Sequence, residues 1–303
     1  VYMMADVIAN IIVIVTVAIA AAVIYLAIPI LRQYLFPKQK IKTMQKFIGN
    51  IQPFSRRDSL PGIQYQAAVA SKDFIYFGSR QKAYDELFKA LNDDSVHMIG
   101  LYGEGGCGKT TLVTQVGKQA EDRKMFDKVI LITVTQTPNI RAIQGEIADM
   151  LKLKLEKHSE NGRAQELWLC LNSKQKKRIL FIVNNLWGKF KLMDIGILLD
   201  DDIKKTLKIL ITTPDERVCT SMKCQKKIHL ELLSEDESWN LFQTFAEIDD
   251  QRSTVLKDVP RQICNASMGL PLAIKIVGSL FNEREDIEWQ QAYEKLVDSK
   301  ASD

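Results

Sequence analysis

The chain has 303 residues, 46% hydrophobic and 26% charged, a globular composition with room for about two domains and not that of a disordered chain. Its 41 basic and 37 acidic side chains leave a net charge of +4; the lysines are scattered among acidic segments without a basic, aromatic-laced stripe, which argues against nucleic acid as a partner. The five cysteines show neither a CxxC pair nor a disulfide framework, so they read as thiols of a reducing compartment.

The first segment of note is Val7 to Leu31, VIANIIVIVTVAIAAAVIYLAIPIL, which carries no charge. As a helix it would measure ~37 Å, longer than the ~30 Å hydrocarbon core of a bilayer. Asp6 precedes it and Arg32, Lys38, Lys40 and Lys42 follow, so an inserted helix would leave the remainder of the chain in the cytosol. A cleaved signal peptide fits poorly, because there is no basic n-region and the apolar run exceeds the usual ~7–15 residues. The alternative is a helix buried in a bundle or against a partner. Its β-branched residues and Pro29 make it a poor isolated soluble helix. Residues 1–35 are therefore assigned to an apolar N-terminal helix, and 36–75, with Pro37, Pro53, Pro61-Gly62 and Arg56-Arg57, to a linker.

Ser79 is placed to cap a helix over 79–91, with Tyr84, Leu87, Phe88 and Leu91 along one face. From residue 96 the pattern alternates. Apolar strands are expected at Val96–Tyr102, Lys128–Thr135, Arg178–Val183 and Leu207–Thr212, with helices between them at 109–124 and 139–152. This is the pattern of an α/β fold with a parallel sheet flanked by helices, here assigned to 76–230. The region 231–303 reads as a small helical domain. Ser234 and Glu237 form a capping-box pattern at its start, and further helices are expected at 252–266, 271–281 and 286–298. No internal repeat is visible. Cys219, Cys224 and His229 come nearest to a metal cluster but lack a fourth ligand.

GLYGEGGCGKTTL carries the strongest chemical signal. Gly103, Gly108, Lys109 and Thr110 match the GxxxxGK[ST] phosphate loop, directly after a strand and directly before a helix. Backbone amides along Gly103, Glu104, Gly105, Gly106, Cys107 and Gly108 would turn toward phosphate oxygens, aided by the helix N-terminus. Lys109 would reach the β- and γ-phosphates, and the Thr110 hydroxyl, next to Thr111, would coordinate magnesium.

The ordered set FDKVILITVTQTPNIRAIQGEIADML (126–151), RILFIVNNLWGKFKL (178–192), KILITTPDERV (208–218), LSEDESWNLF (233–242) and GLPLA (269–273) resembles the NB-ARC class of STAND P-loop NTPases, the nucleotide-binding module of plant intracellular immune receptors. The resemblance runs from about Asp73 to Asp298, and MADVIANII (4–12) and IPILRQY (28–34) resemble the opening of the coiled-coil subclass. It implies an ADP/ATP switch that exchanges nucleotide, oligomerises and signals in defence, with other receptor chains or host proteins as partners. It also implies a cytoplasmic location, on the cytosolic face of a membrane if residues 7–31 insert. Gly103–Thr111 would hold phosphates and magnesium, and Pro271 and Leu272 would lie near the adenine.

Three departures from that family stand out. Its strand at 179–183 usually ends in two aspartates that manage magnesium and hydrolysis; here they are Asn184 and Asn185. Asparagine keeps the shape and one carbonyl ligand but neither the charge nor the basicity, so ADP binding with weak hydrolysis is expected. Asp194 is too far along the chain to be a natural substitute. Pro214 stands where the family usually carries an arginine that senses the γ-phosphate, with Arg217 a turn further on as a partial replacement. The matched motifs stop before the winged-helix and leucine-rich-repeat regions, so truncation is expected. The competing readings are an active ATPase and a membrane-anchored adaptor or decoy with a structural nucleotide site.

Overall fold

A computed structural model of the chain describes residues 77–172, 177–200, 203–251, 256, 258–282 and 285–301. These residues fall into two compact units, one ending at Leu233 and the other beginning at Ser234. The expected apolar helix at 1–35 and the linker at 36–75 lie outside the described residues. Among the described residues, no helix is long and apolar enough to cross a membrane.

The first unit is built on five parallel strands: β1 (Met98–Tyr102), β2 (Lys128–Thr133), β3 (Ile179–Asn184), β4 (Leu207–Thr213) and β5 (Lys226–His229), in the order 2-3-4-1-5. Every residue of β3 and β4 is buried, as strands covered on both faces require. The edge strands read differently: β2 alternates partly, and β5 exposes lysine and histidine, which blunts an open edge. Because β4 lies between β1 and β3, with Tyr102 opposite Thr213 and Val183 opposite Ile211, the ends of all three strands come level. Ligand sites of open parallel sheets lie at that carboxyl edge.

Helix α1 (Gly78–Asn92) precedes β1, and α2 (Lys109–Asp122), α3 (Ile140–Leu151), α4 (Glu160–Leu171) and α5 (Glu216–Ser221) connect the strands. Lys208 is 5% exposed in the middle of an apolar strand. Its ammonium donates to the Ala90 (3.3 Å) and Asp93 (2.5 Å) carbonyls, which lie at the C-terminal end of α1, where carbonyls lack helical partners and a cation is favoured. Burial lowers its pKa.

The second unit comprises α6 (Glu235–Ala246), α7 (Val259–Asn265), α8 (Pro271–Phe281) and α9 (Asp286–Ala301). Phe242 is fully buried at the centre of an aromatic group, 5.8 Å from the Trp239 ring and 6.1 Å from Trp289, which in turn lies 4.5 Å from Phe281. The capping box is formed: Ser234 Oγ accepts from the Glu237 amide at 3.2 Å, and Glu237 accepts from the Ser234 amide at 3.1 Å.

Several expectations need correction. Ser79 lies within the first turn of α1; the N-cap is Phe77, which makes no side-chain cap. The first strand begins at Met98, two residues late. Of the helix expected over 252–266, Val259–Asn265 is helical, with Pro260 in the first turn, where its missing amide is not needed; residues 252–255 and 257 lie outside the described residues. Elements not anticipated include α4, β5 and the short α5. In α4 Leu167 is the buried residue and the periodicity is weak, and β5 opens on two lysines.

Candidate functional site

Between the end of β1 and the start of α2 the chain turns through Gly103–Gly108. A Cβ on Gly103 would stand 2.5 Å from the Leu230 carbonyl oxygen, so the loop can pass the segment after β5 only with glycine there. Gly108 caps α2 with φ 102°, in the left-handed region. The first amides of α2 have no partners within the helix and carry its positive dipole end, a general anion-binding arrangement.

Lys109 is 9% exposed. Its ammonium donates to the Gly103 carbonyl at 2.7 Å and the Glu104 carbonyl at 2.8 Å, and lies 3.8 Å from Cys107 Sγ. Burial lowers its pKa, with Cys107 and Glu104 acting in the opposite sense. Burial likewise raises the Cys107 thiol. A buried cation held by carbonyl dipoles gains from an anion placed beside it.

Asn184 is 4% exposed and forms the junction at the carboxyl edge. Its Oδ1 accepts from the Thr110 hydroxyl at 3.0 Å and from the Thr212 hydroxyl at 2.7 Å, while its Nδ2 donates to Thr133 Oγ1 at 3.4 Å. One amide thus joins α2, β4, β3 and β2. Asn185 adopts φ 69°, a conformation that asparagine tolerates better than most residues. Its amide N–H donates to Thr212 Oγ1 at 2.8 Å and its Nδ2 donates to the Val134 carbonyl at 3.2 Å. The second of these bonds needs a donor, which a carboxylate is not.

The other expected residues are placed less favourably. Arg217 pairs with Asp215 at 2.7 Å, its side chain 91% exposed, and this contact holds the Asp215 carboxyl below the usual range. Its expected role as a substitute cation for Pro214 is thus opposed by an existing partner. Asp194 is an exposed residue on a short 3-10 turn, where its carbonyl accepts from Gln144 at 2.7 Å. Pro271 and Leu272 occupy the first turn of α8 in the second unit, with Leu272 half exposed. His229 packs its ring 5.0 Å from Tyr102, and no group of three His, Cys, Asp or Glu among the described residues is placed to hold a metal ion.

Two contributors escape a reading of the sequence. Arg80, 7% exposed, reaches from α1 to donate to the Cys107 carbonyl at 3.0 Å and to the Glu231 carbonyl. It braces the loop from behind. A charged residue in a polar helix face gives no sign of this role, since most are solvated. Thr212 is the other, visible only as the first of two threonines ending an apolar strand.

A strand, a glycine-rich turn and a helix N-terminus around a buried lysine, at the carboxyl edge of a parallel sheet, define a phosphate-loop α/β domain. The NB-ARC domain family matches residues 80–251, more than half of the sequence, and the chain belongs to that family. A probable disease resistance protein of Arabidopsis thaliana is 31% identical over 214 residues, 69% of this chain and 25% of that protein. The Arabidopsis disease resistance protein SUMM2 is 30% identical over 220 residues, 70% of this chain and 24% of that one. The chain thus spans about a quarter of the length of these relatives. Among solved structures, the ORC2 protein of Aeropyrum pernix aligns with a TM-score of 0.46 at 14% identity, over 82% of this chain and 71% of that one.

The two asparagines should respond differently to restoration of an acid. Asn185→Asp loses the bond to the Val134 carbonyl and sets a carboxylate against it, and should cost about 1–3 kcal/mol in urea denaturation. Asn184→Asp keeps both hydroxyl donors and should cost less. Equal losses would contradict the hydrogen-bond assignment.

The lowered Lys109 pKa sets a sign for pH dependence. Between the lowered value and the ordinary 10.5, the unfolded chain binds more protons than the folded one, so this group makes stability rise with pH there. Lys109→Met should flatten that rise relative to the unaltered chain in thermal melts taken across the window. An unchanged slope would show that Lys109 is not its source.

Proposed function

We propose that the chain is the ADP/ATP-binding switch module of a plant intracellular immune receptor acting in defence, with tight phosphate binding and slow ATP hydrolysis. The observation that carries the reading is the buried Lys109 ammonium, held by the Gly103 and Glu104 carbonyls at the mouth of α2. A nucleotide's β- and γ-phosphates would supply the counter-charge that this ammonium lacks, while the amides of Gly103–Thr111 receive the remaining phosphate oxygens. Pro271 and Leu272 are assigned to the adenine by family resemblance alone.

The residues available to magnesium are the Thr110 hydroxyl and Asn184 Oδ1, 3.0 Å apart and both neutral. Hard oxygen donors fit the ion, but without a carboxylate they add no charge to hold it. When bound, magnesium would neutralise phosphate charge; this chain's contribution is one hydroxyl and one amide oxygen. Asn185 cannot take a proton from water as a carboxylate would, and its amide is already committed to Val134. Both features favour retained binding over turnover. The proposed partners are other receptor chains or host proteins, which would sense the nucleotide state through its differential affinity for two conformations.

Binding and turnover are separable by substitution. Lys109→Ala should weaken ADP binding about 10- to 100-fold in calorimetry, the loss of one or two charge-assisted hydrogen bonds. Asn184→Asp should raise ATP turnover about tenfold or more at saturating magnesium. Unaltered ADP affinity in the first variant would overturn the phosphate site, and equal turnover of Asn184→Asp and the unaltered chain would overturn slow hydrolysis.

A further inference from the structure

Helix α5 ends in a turn that brings two cysteines together. Lys223 adopts φ 59°, the Lys223 amide donates to the Thr220 carbonyl at 3.0 Å, and the Cys224 amide donates to the Cys219 carbonyl at 2.9 Å. This pair of bonds is the Schellman closure, in which the side chains at the two ends of the longer bond normally make an apolar contact. Here the residues at those two positions are cysteines, Cys219 and Cys224, both buried. Both point at Gly100 in the interior strand β1. A Cβ there would stand 2.5 Å from Cys219 Sγ and 3.1 Å from Cys224 Sγ, so the absence of a side chain at Gly100 makes the space the sulfurs share. The proximity of the two thiols lowers the Cys219 pKa and raises that of Cys224, which favours Cys219 as the thiolate of the pair.

We infer that Cys219 and Cys224 form a dithiol that a hydroperoxide converts to a disulfide, a modification site separate from the Gly103–Thr111 loop. The Cys219 sulfur attacks the peroxide, breaking its O–O bond to give a sulfenic acid and releasing water from hydrogen peroxide. The Cys224 sulfur then attacks the Cys219 sulfur. The S–S bond forms as the S–OH bond breaks, and the hydroxyl leaves with the Cys224 proton as a second water. Two electrons pass from the thiols to the peroxide. The product covalently closes the turn that follows Thr213 and Pro214, and so ties down the segment after β4.

The test uses hydrogen peroxide on the native full chain, followed by alkylation of the remaining thiols and digestion with trypsin. Cleavage after Arg217, Lys223 and Lys226 separates the two cysteines, so the bond would join peptide 218–223 to peptide 224–226. That linked species, abolished by reductant, is the expected result. With Cys224→Ser, the sulfenic acid should instead persist on Cys219 and be trapped by dimedone. Recovery of both peptides separately alkylated, at a peroxide dose that oxidises the half-buried Cys170, would overturn the inference. So would dimedone labelling of Cys219 that is no greater in Cys224→Ser than in the unaltered chain, with no linked peptide in either.

Discussion

One neutral oxygen organises the carboxyl edge of the sheet. Asn184 Oδ1 accepts two hydroxyls, from Thr110 at the start of α2 and from Thr212 near the end of β4, and it can do so because β4 lies directly beside β3. That contact fixes the helix whose N-terminus faces the loop, and through it the position of Lys109. In most proteins a buried amide must find partners for both of its ends; here they are threonines on three separate elements. In the proposed function the same oxygen is what β3 would offer to magnesium, and it carries no charge. A single residue thus orders the phosphate loop and, under the proposed function, would give a divalent cation only a neutral ligand.

How much of this is readable from residues alone depends on whether the signal is local. The unbroken apolar run Ile179–Val183, and Leu207–Ile211 interrupted by Lys208 alone, read as buried strands, and the GxxxxGK[ST] loop announces its chemistry by spacing. The capping box at Ser234 is equally local. By contrast, α4 buries little beyond Leu167, so its helical period is faint. β5 is short and begins with lysines because it is an edge strand, and edge strands are designed to look unlike strands.

The site divides along the same line. Gly103–Thr111 is contiguous and legible. The partners of Asn184 and Asn185 come from segments 27 to 74 residues away, and no pattern in the sequence states that β4 will be inserted between β1 and β3. Arg80 is similar: its role arises only when α1 folds back so that the guanidinium meets the Cys107 carbonyl. Arg217 shows the opposite error. Its spacing suggested a spare cation, but a carboxylate two residues away had already claimed it. The departures at Asn184 and Asn185 were visible as missing acids; that Asn185 is suited to its own backbone conformation and donates where an acid could not was a matter of three-dimensional context.

Under the proposed function the chain holds a nucleoside triphosphate and is slow to cleave it. The direct measurement is a single-turnover experiment: full-length chain in excess over radiolabelled ATP with magnesium, separation of bound from free label, and chromatography of the bound fraction over time. The account requires most of the label to be protein-bound and to remain ATP long after a working hydrolase would have released phosphate. Label that stays free, or bound label converted to ADP within seconds, would contradict it.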